Sequence, residues 1–448
     1  MLVPYDMRGQ TIGVLGLGRS GLAAVAVLKA AGAHVFAFDD VKTQEDIPQI
    51  TLTSWHNWPW EKLEAMVISP GIPHNYPRPH PAAALANDQQ IPIISEVELA
   101  VRAKPKARLV AITGTNGKST TTALIGHCLK IARCPVAIGG NLGDAACSLD
   151  DPGENGILVL ELSSYQLETT PSLKPSISIL LNISPDHLDR HGGMAGYIAA
   201  KTLVLERLDK TGIAIIGSGD HHVQTLAKVT AAEGIKTLIA SPDLAPIGQK
   251  GSAALAGTHN AENAAAASLA LHAIGLDNQV INRGVSTFTN LPHRLQRVAR
   301  CGKVQFINDS KATNGIAAAK ALTTFNDIYW VAGGLAKQDG LSPTMPHLGA
   351  VKKAYLIGAA APAFATSLSG ICPVDIYHDL EQATRAAFDD ASVHPEGGTI
   401  LLAPAAASFD QFPNFGARGD AFAALAHDLC ATGGADQNAN KKRRDNHA

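Results

Sequence analysis

The run Gly114-Thr115-Asn116-Gly117-Lys118-Ser119-Thr120 follows the apolar stretch Leu109-Val110-Ala111-Ile112 and precedes a helical pattern. A buried strand that empties into a glycine-rich turn and then a helix leaves few folds open. Successive backbone N–H groups in such a turn, with the helix N-terminus behind them, form a concavity for anionic oxygens. Lys118 is placed to reach the β and γ oxygens of a nucleotide, and Ser119 or Thr120 to meet Mg²⁺. The general form of this loop wants glycine at position 112, where the chain carries Ile112, so the loop is a variant whose first glycine is Gly114. Its context predicts a parallel sheet flanked by helices.

The chain has 448 residues, enough for two to four domains at about 100–200 residues each. Hydrophobic residues make up 46%, charged residues 17% and aromatic residues only 5%, so cores of strands and Ala-rich helices in α/β layers are expected. The first hundred residues alternate accordingly, with strands at 11–15, 33–38 and 65–69, a turn at 16–21 and a helix at 22–31. After the polar Lys104-Pro105-Lys106, strands are expected at 109–112, 157–160 and 177–181 and a helix at 260–273. The pattern restarts near Leu291-Pro292-His293-Arg294, with strands at 305–308, 328–332, 354–357 and 399–402. The expected architecture is α/β in three domains: a Rossmann-like domain over 1–97, a P-loop ATPase-like parallel sheet over 98–290 and a second Rossmann-like domain over 291–433. Residues 434–448, with Lys441-Lys442-Arg443-Arg444, read as a disordered basic tail.

A formal net charge of −2 offers no general attraction to nucleic acid or to an acidic membrane. The six cysteines are scattered without a C-x-x-C pair, which argues against a structural zinc site and a dense disulfide framework and favours a reducing compartment. There is no secretory h-region and no apolar run of about 18 residues. A cytoplasmic protein without nucleic-acid or membrane partners is expected.

Other segments place reactive side chains at strand ends. Gly16-x-Gly18-x-x-Gly21 lies between a strand and a helix, with Asp39 after the next strand. Packing alone, NAD(P) binding and binding of another nucleotide such as a uridine diphosphate all fit that turn. The strand Ile157-Leu158-Val159-Leu160 ends in Glu161, at the edge where the phosphate loop lies. A phosphoryl-transfer site needs oxygen ligands for Mg²⁺ there, and a solvated strand end is the bland alternative. Asp186 and His187 follow the strand 177–181 near the same edge. Lys201, in Tyr197-Ile198-Ala199-Ala200-Lys201, reads by itself as a snorkelling lysine. Asn308-Asp309-Ser310-Lys311-Ala312-Thr313-Asn314 and the segment from Pro404 through Ser408 to Phe412 sit after strands, where caps and substrate sites look alike.

Taken together, Gly114-Thr115-Asn116-Gly117-Lys118-Ser119-Thr120, Glu161-Leu162-Ser163-Ser164, Asp186-His187, Gly257-Thr258-His259-Asn260 with Asn263, Leu291-Pro292-His293-Arg294 and the Asp309 segment resemble the Mur ligases of peptidoglycan synthesis, in order and over nearly the whole chain. The N-terminal glycine turn, Asp309-Ser310-Lys311-Ala312-Thr313-Asn314 and Ser408-Phe409-Asp410-Gln411-Phe412-Pro413-Asn414-Phe415 resemble the D-glutamate-adding branch. The resemblance implies an ADP-forming, ATP-dependent ligase that works through an acyl phosphate on UDP-N-acetylmuramoyl-L-alanine, with ATP and two Mg²⁺ ions, as a monomer. It implies that Gly18, Arg19, Ser20, Asp39 and Asn141 contact the UDP-sugar, and that Gly114 to Thr120, Asn263, Arg294 and Asp309 contact ATP. Thr313, Lys337, Ser408 and the backbone of Phe415 match the D-glutamate pocket. Lys118, Glu161, His187 and Lys201 match the catalytic set, and Ser119, Glu161, His187 and a carbamate on Lys201 match the metal set.

Overall fold

The computed structural model describes every residue except 252, 256, 290, 337–339 and 446–448; the side chains of 250, 251, 253 and 432–445 are also outside the description. The chain divides into two compact units, 1–252 with 258–288 and 253–257 with 289–448.

The first unit carries two parallel sheets. β1 (Thr11–Leu15), β2 (His34–Phe38), β3 (Leu63–Ile68) and β4 (Ile93–Ile94) pair in the order β2-β1-β3-β4. Between β1 and β2 runs α1 (Arg19–Ala31), which begins before the expected residue 22 because Gly18 already occupies the N-cap. Gly32, at φ 81°, ends it with its N–H on the Leu28 and Lys29 carbonyls, the left-handed cap that glycine adopts most easily. Ile12, Val14, Val25, Leu28 and Val67 bury this helix against the sheet. α2 (Pro81–Asp88) precedes β4, and α3 (Glu96–Arg102), capped by the Ser95 side chain, leads into the second sheet.

That sheet contains β5 (Arg108–Thr113), β6 (Val136–Gly140), β7 (Ile157–Glu161), β8 (Ile177–Leu180), β9 (Ile213–Gly217) and β10 (Lys236–Ala240), in the order β10-β9-β8-β5-β7-β6. All its pairings are parallel. Strands of an α/β sheet are covered on both faces, so β7 and β8 are buried at every residue. The covering helices are α4 (Lys118–Ile131), α5 (Ser164–Glu168), α6 (Met194–Glu206), α7 (His221–Ala232), α8 (Thr258–Ile274) and α9 (Asn278–Thr287). Successive strands flank β5 on both sides, so the segments after β5, β7 and β8 emerge side by side at one edge, where ligands bind in open α/β sheets.

The second unit is built on β11 (Gln296–Cys301), β12 (Val304–Asn308), β13 (Ile328–Gly333), β14 (Leu335–Ala336), β15 (Val351–Ile357), β16 (Val374–Ile376), β17 (Gly398–Leu402) and β18 (Ala406–Ala407). Its main sheet has the order β11-β12-β17-β13-β15-β16, while β14 and β18 form a separate antiparallel pair. β11 lies antiparallel to β12, an edge hairpin that the reading of plain βα alternation does not anticipate. α10 (Gly315–Leu322), α11 (Ala361–Leu368), α12 (Leu380–Val393) and α13 (Phe415–Asp445) cover the sheet around the fully buried Trp330. The backbone of α13 extends into the segment read as a tail, whose side chains are outside the description. Cys301 and Cys430, with Cα atoms 5.2 Å apart, form a disulfide, and the other four cysteines are free thiols.

Candidate active site

The phosphate loop lies between the end of β5 and the first turn of α4. Gly117 is the N-cap at φ 86°, and a Cβ there would collide with the Asn263 amide on α8. Both facts select glycine. The segment after β8 braces the loop: Thr115 N–H donates to the Asn182 carbonyl at 2.9 Å and Asn116 N–H to Asn182 Oδ1 at 2.9 Å. Two amides expected to face phosphates are therefore bonded within the protein. The Lys118 ammonium folds back onto the carbonyls of Gly114 at 2.7 Å and Thr115 at 2.9 Å.

Glu161 ends β7 and is 1% exposed. Asn141 grips it twice, with its N–H on the Glu161 carbonyl at 2.8 Å and its side-chain amide on Oε1 at 2.7 Å. The other carboxylate oxygen, Oε2, is buried without a hydrogen-bond partner. A buried carboxylate oxygen left bare is costly unless something positive meets it.

Lys201 on α6 is 2% exposed and donates to the Gly114 carbonyl at 2.9 Å. Burial, reinforced by the nearby Lys118 charge and opposed by Asp186 and Glu161, pushes its pKa well below the ordinary lysine range. The snorkelling reading is thus corrected: the amine is interior, because the 13-residue α6 packs its Lys201 face against β8 and β5. A neutral buried amine is the form that reacts with carbon dioxide to give a carbamate. Tyr197, one turn earlier, lies 4.7 Å below the Lys201 nitrogen and shares a 3.0 Å bond with the Thr115 hydroxyl.

His187 has φ 53° and caps the short turn Leu188–His191. Its side chain is 45% exposed and pairs with Asp186 at 3.7 Å. Among the described residues no three His, Cys, Asp or Glu side chains converge as a metal cage. The oxygen donors here that would suit a hard cation are the bare Glu161 carboxylate oxygen and the buried Ser119 hydroxyl.

In the first sheet, Gly18 faces open space whereas a Cβ on Gly21 would strike the Gly16 carbonyl, so packing requires glycine at 21 but not at 18. Asp39 accepts N–H bonds from Leu17, Val41 and Lys42. Burial raises its pKa, yet these amides and the Lys42 charge outweigh that and leave it lowered. The Arg19 guanidinium donates to the Asn141 carbonyl at 3.3 Å, joining this loop to the second sheet. Ser20 lies in the first turn of α1.

In the second unit, Asp309 follows β12 and accepts the Leu295 N–H at 3.1 Å. Its burial, against the Leu295 bond and the Arg294 charge, pushes its carboxyl up to about 7. Arg418, which the sequence reading missed, is 1% exposed and donates to Ser310 Oγ and O, each at 3.0 Å, to Ala406 O at 3.1 Å and to Gly333 O at 3.4 Å. One guanidinium thus ties Ser310 after β12, the end of β13 and the start of β18, next to Ser408. Ser310 Oγ also donates to the Phe415 carbonyl at 2.8 Å, and the Lys311 ammonium lies 3.8 Å over the Phe415 ring. Ser408 is 2% exposed. Lys337 lies outside the described residues. Nothing in the sequence marks Arg418, because a buried arginine on a helix has no local signature.

Residues 112–244 match the Mur ligase middle domain. Over 467 aligned residues the chain is 42% identical to the UDP-N-acetylmuramoylalanine--D-glutamate ligase of Rhodospirillum rubrum, covering 96% of this chain and 97% of that one. It is 40% identical to the ligase of the same name from Caulobacter vibrioides, covering 97% and 99%. Among solved structures, a UDP-N-acetylmuramate-alanine ligase, MurC, from Thermotoga maritima superposes with a TM-score of 0.59 at 16% identity, over 94% of this chain and 99% of that one. A Mycobacterium tuberculosis folylpolyglutamate synthase complexed with ADP has a TM-score of 0.56 at 16% identity, over 73% and 93%. These two likenesses are of fold. From the sequence identity over nearly its full length, the chain belongs to the family of UDP-N-acetylmuramoylalanine--D-glutamate ligases, within the Mur ligases.

Proposed function

We propose that this chain joins D-glutamate to UDP-N-acetylmuramoyl-L-alanine in an ADP-forming reaction, as a cytoplasmic monomer in peptidoglycan precursor synthesis. The observation that carries the reading is the bare, buried Glu161 oxygen beside the phosphate loop and the buried amine of Lys201. Residues 1–97 are read as the module for the UDP-sugar, 98–290 as the ATP module and 291–433 as the module for D-glutamate with further ATP contacts. Ser119, Glu161, His187 and carbamylated Lys201 would hold two Mg²⁺ ions. When bound, Mg²⁺ neutralises phosphate charge and draws electron density from the transferred phosphoryl group.

Repulsion between a carboxylate and a polyanionic phosphate is the first obstacle to the reaction. Lys118 and Arg294 lower it by placing positive charge where negative charge accumulates. The L-alanine carboxylate oxygen bonds to the γ phosphorus as the bridging oxygen leaves with ADP. The D-glutamate amine then attacks the acyl carbon, phosphate departs, and the ammonium proton passes to His187 or to solvent at this exposed edge. Asn141 and Arg19 orient the sugar nucleotide with Gly18, Ser20 and Asp39; Asn263 and Asp309 hold the nucleoside of ATP; Thr313, Lys337, Ser408 and the Phe415 backbone receive D-glutamate.

Hydroxylamine tests the route. With ATP, Mg²⁺ and the sugar nucleotide but no D-glutamate, a hydroxamate should accumulate, and its absence would count against an acyl phosphate. Phosphate release should then require D-glutamate rather than L-glutamate, L-alanine or diaminopimelate.

A further inference from the structure

The turn that His187 caps ends in His191. Its ring is buried, with 4% of the residue exposed. Nε2 lies 2.9 Å from Ser164 Oγ, and Nδ1 lies 3.3 Å from Glu168 Oε1. A carboxylate only accepts, so Nδ1 donates to Glu168, while Nε2 and the Ser164 hydroxyl share the second bond. The ring stacks on Tyr165 at 5.2 Å with a 9° tilt and meets Tyr197 at 5.3 Å.

Each neighbour leads to a different part of the proposed metal site. Ser164 follows Glu161 after two residues and opens α5. Tyr197 bonds the phosphate-loop Thr115 and underlies Lys201. Tyr165 lies 5.5 Å from the His187 ring. His191 is therefore where the segments after β7 and β8 and the start of α6 are fastened together. The fastening extends to the first sheet. Arg190, 4.5 Å over the Tyr165 ring, donates to the Gly71 carbonyl at 2.9 Å, and His74 Nε2 stands 3.6 Å from Glu168 Oε2.

We propose that His191, held between Ser164 and Glu168, is the positioning residue that sets Glu161, His187 and Lys201 at the spacing the metal ions require. Outer partners of this kind orient ligands without touching the metal. The inference rests on the metal and carbamate reading above. A histidine kept only for packing would be replaceable by another ring of similar size.

The test compares His191→Phe, which keeps a stacking ring and loses both hydrogen bonds, with His191→Asn, which restores a donor toward Glu168. Mn²⁺ is titrated into each full-length protein with a non-hydrolysable ATP analogue and followed by electron paramagnetic resonance. The Lys201 carbamate is followed by its ¹³C resonance in ¹³C-bicarbonate. For His191→Phe the expectation is Mn²⁺ affinity lowered about 10-fold or more, a weakened carbamate signal and a fall in kcat, with the KM for ATP little changed and partial recovery in His191→Asn. Wild-type Mn²⁺ affinity and carbamate signal in His191→Phe would overturn the proposal, whatever its melting temperature. Should His191→Phe fail to fold, Ser164→Ala removes one of the two bonds and is held to the same criterion. If the wild-type protein itself shows neither Mn²⁺ binding nor a carbamate, the underlying metal reading fails and the positioning role falls with it.

Discussion

Asp309 carries a proton near neutral pH for want of solvent. Its folded pKa of about 7 stands above the ordinary aspartate value of 3.8, so between those values the folded chain binds a proton that the unfolded chain has released. Stability from this residue therefore falls as pH rises from about 4 to 7, and the cost remains at higher pH. Asp309→Asn should remove that slope and make the ligand-free protein more stable at pH 8, by up to a few kcal/mol, while weakening ATP binding. Urea unfolding at pH 5 and pH 8 measures the effect; an unchanged slope would mean that the carboxyl titrates normally. Lys201 shows the opposite displacement for the same physical reason, since burial disfavours whichever form is charged. Lys201→Ala should abolish turnover while ATP still binds, and normal turnover in that variant would sink the carbamate assignment.

At the scale of elements, the phosphate loop depends on a neighbour that is itself capped. Asp220, the N-cap of α7, accepts from His222 N–H at 2.9 Å and Val223 N–H at 3.0 Å, and its second oxygen accepts from Ile183 N–H at 2.8 Å. Ile183 joins Asn182 and Ser184, whose backbone and side-chain groups brace Thr115 and Asn116. Asp220→Ala should cost about 1–2 kcal/mol through the lost cap and raise the KM for ATP more than it lowers kcat. Chemical denaturation and steady-state kinetics would separate these effects, and loss of stability with an unchanged KM would show that the brace is not transmitted to the loop. Gly117→Ala is a harsher change of the same element, because the new Cβ meets Asn263 in a left-handed backbone. It should lose ATP binding, as read by calorimetric titration.

For the molecule as a whole, two compact units predict separable stability. A fragment of residues 1–288 keeps both parallel sheets and should unfold cooperatively, yet show no ligation without the residues of the second unit. Non-cooperative melting of that fragment would contradict the division. Arg418→Leu should act on the second unit alone, because all four of its bonds go to Ser310, Gly333 and Ala406. Removing one guanidinium there leaves several buried acceptors unpaired, each a cost of about 1–3 kcal/mol, and the upper phase of a two-phase unfolding curve or the lower should move while the other stays.

What the sequence determined by itself was the set of local patterns. Apolar runs became β1, β5, β7, β8, β12, β13, β15 and β17 because a strand covered on both faces must be apolar throughout. Glycine turns became the two loops for the reason that few other residues permit such backbones. Short or polar strands such as β4, β11 and β16 were not legible, since their burial comes from one neighbour rather than from their own pattern. The phosphate loop, Glu161 and Asn141 were likewise readable as residues, but which oxygen of Glu161 is bare was not. Tertiary structure alone decided that Lys201 is interior, that Arg418 binds three strand ends and that His191 joins Ser164 to Glu168. The reason is physical: burial and hydrogen-bond partners are set by segments far apart in the chain, and charge states follow from them.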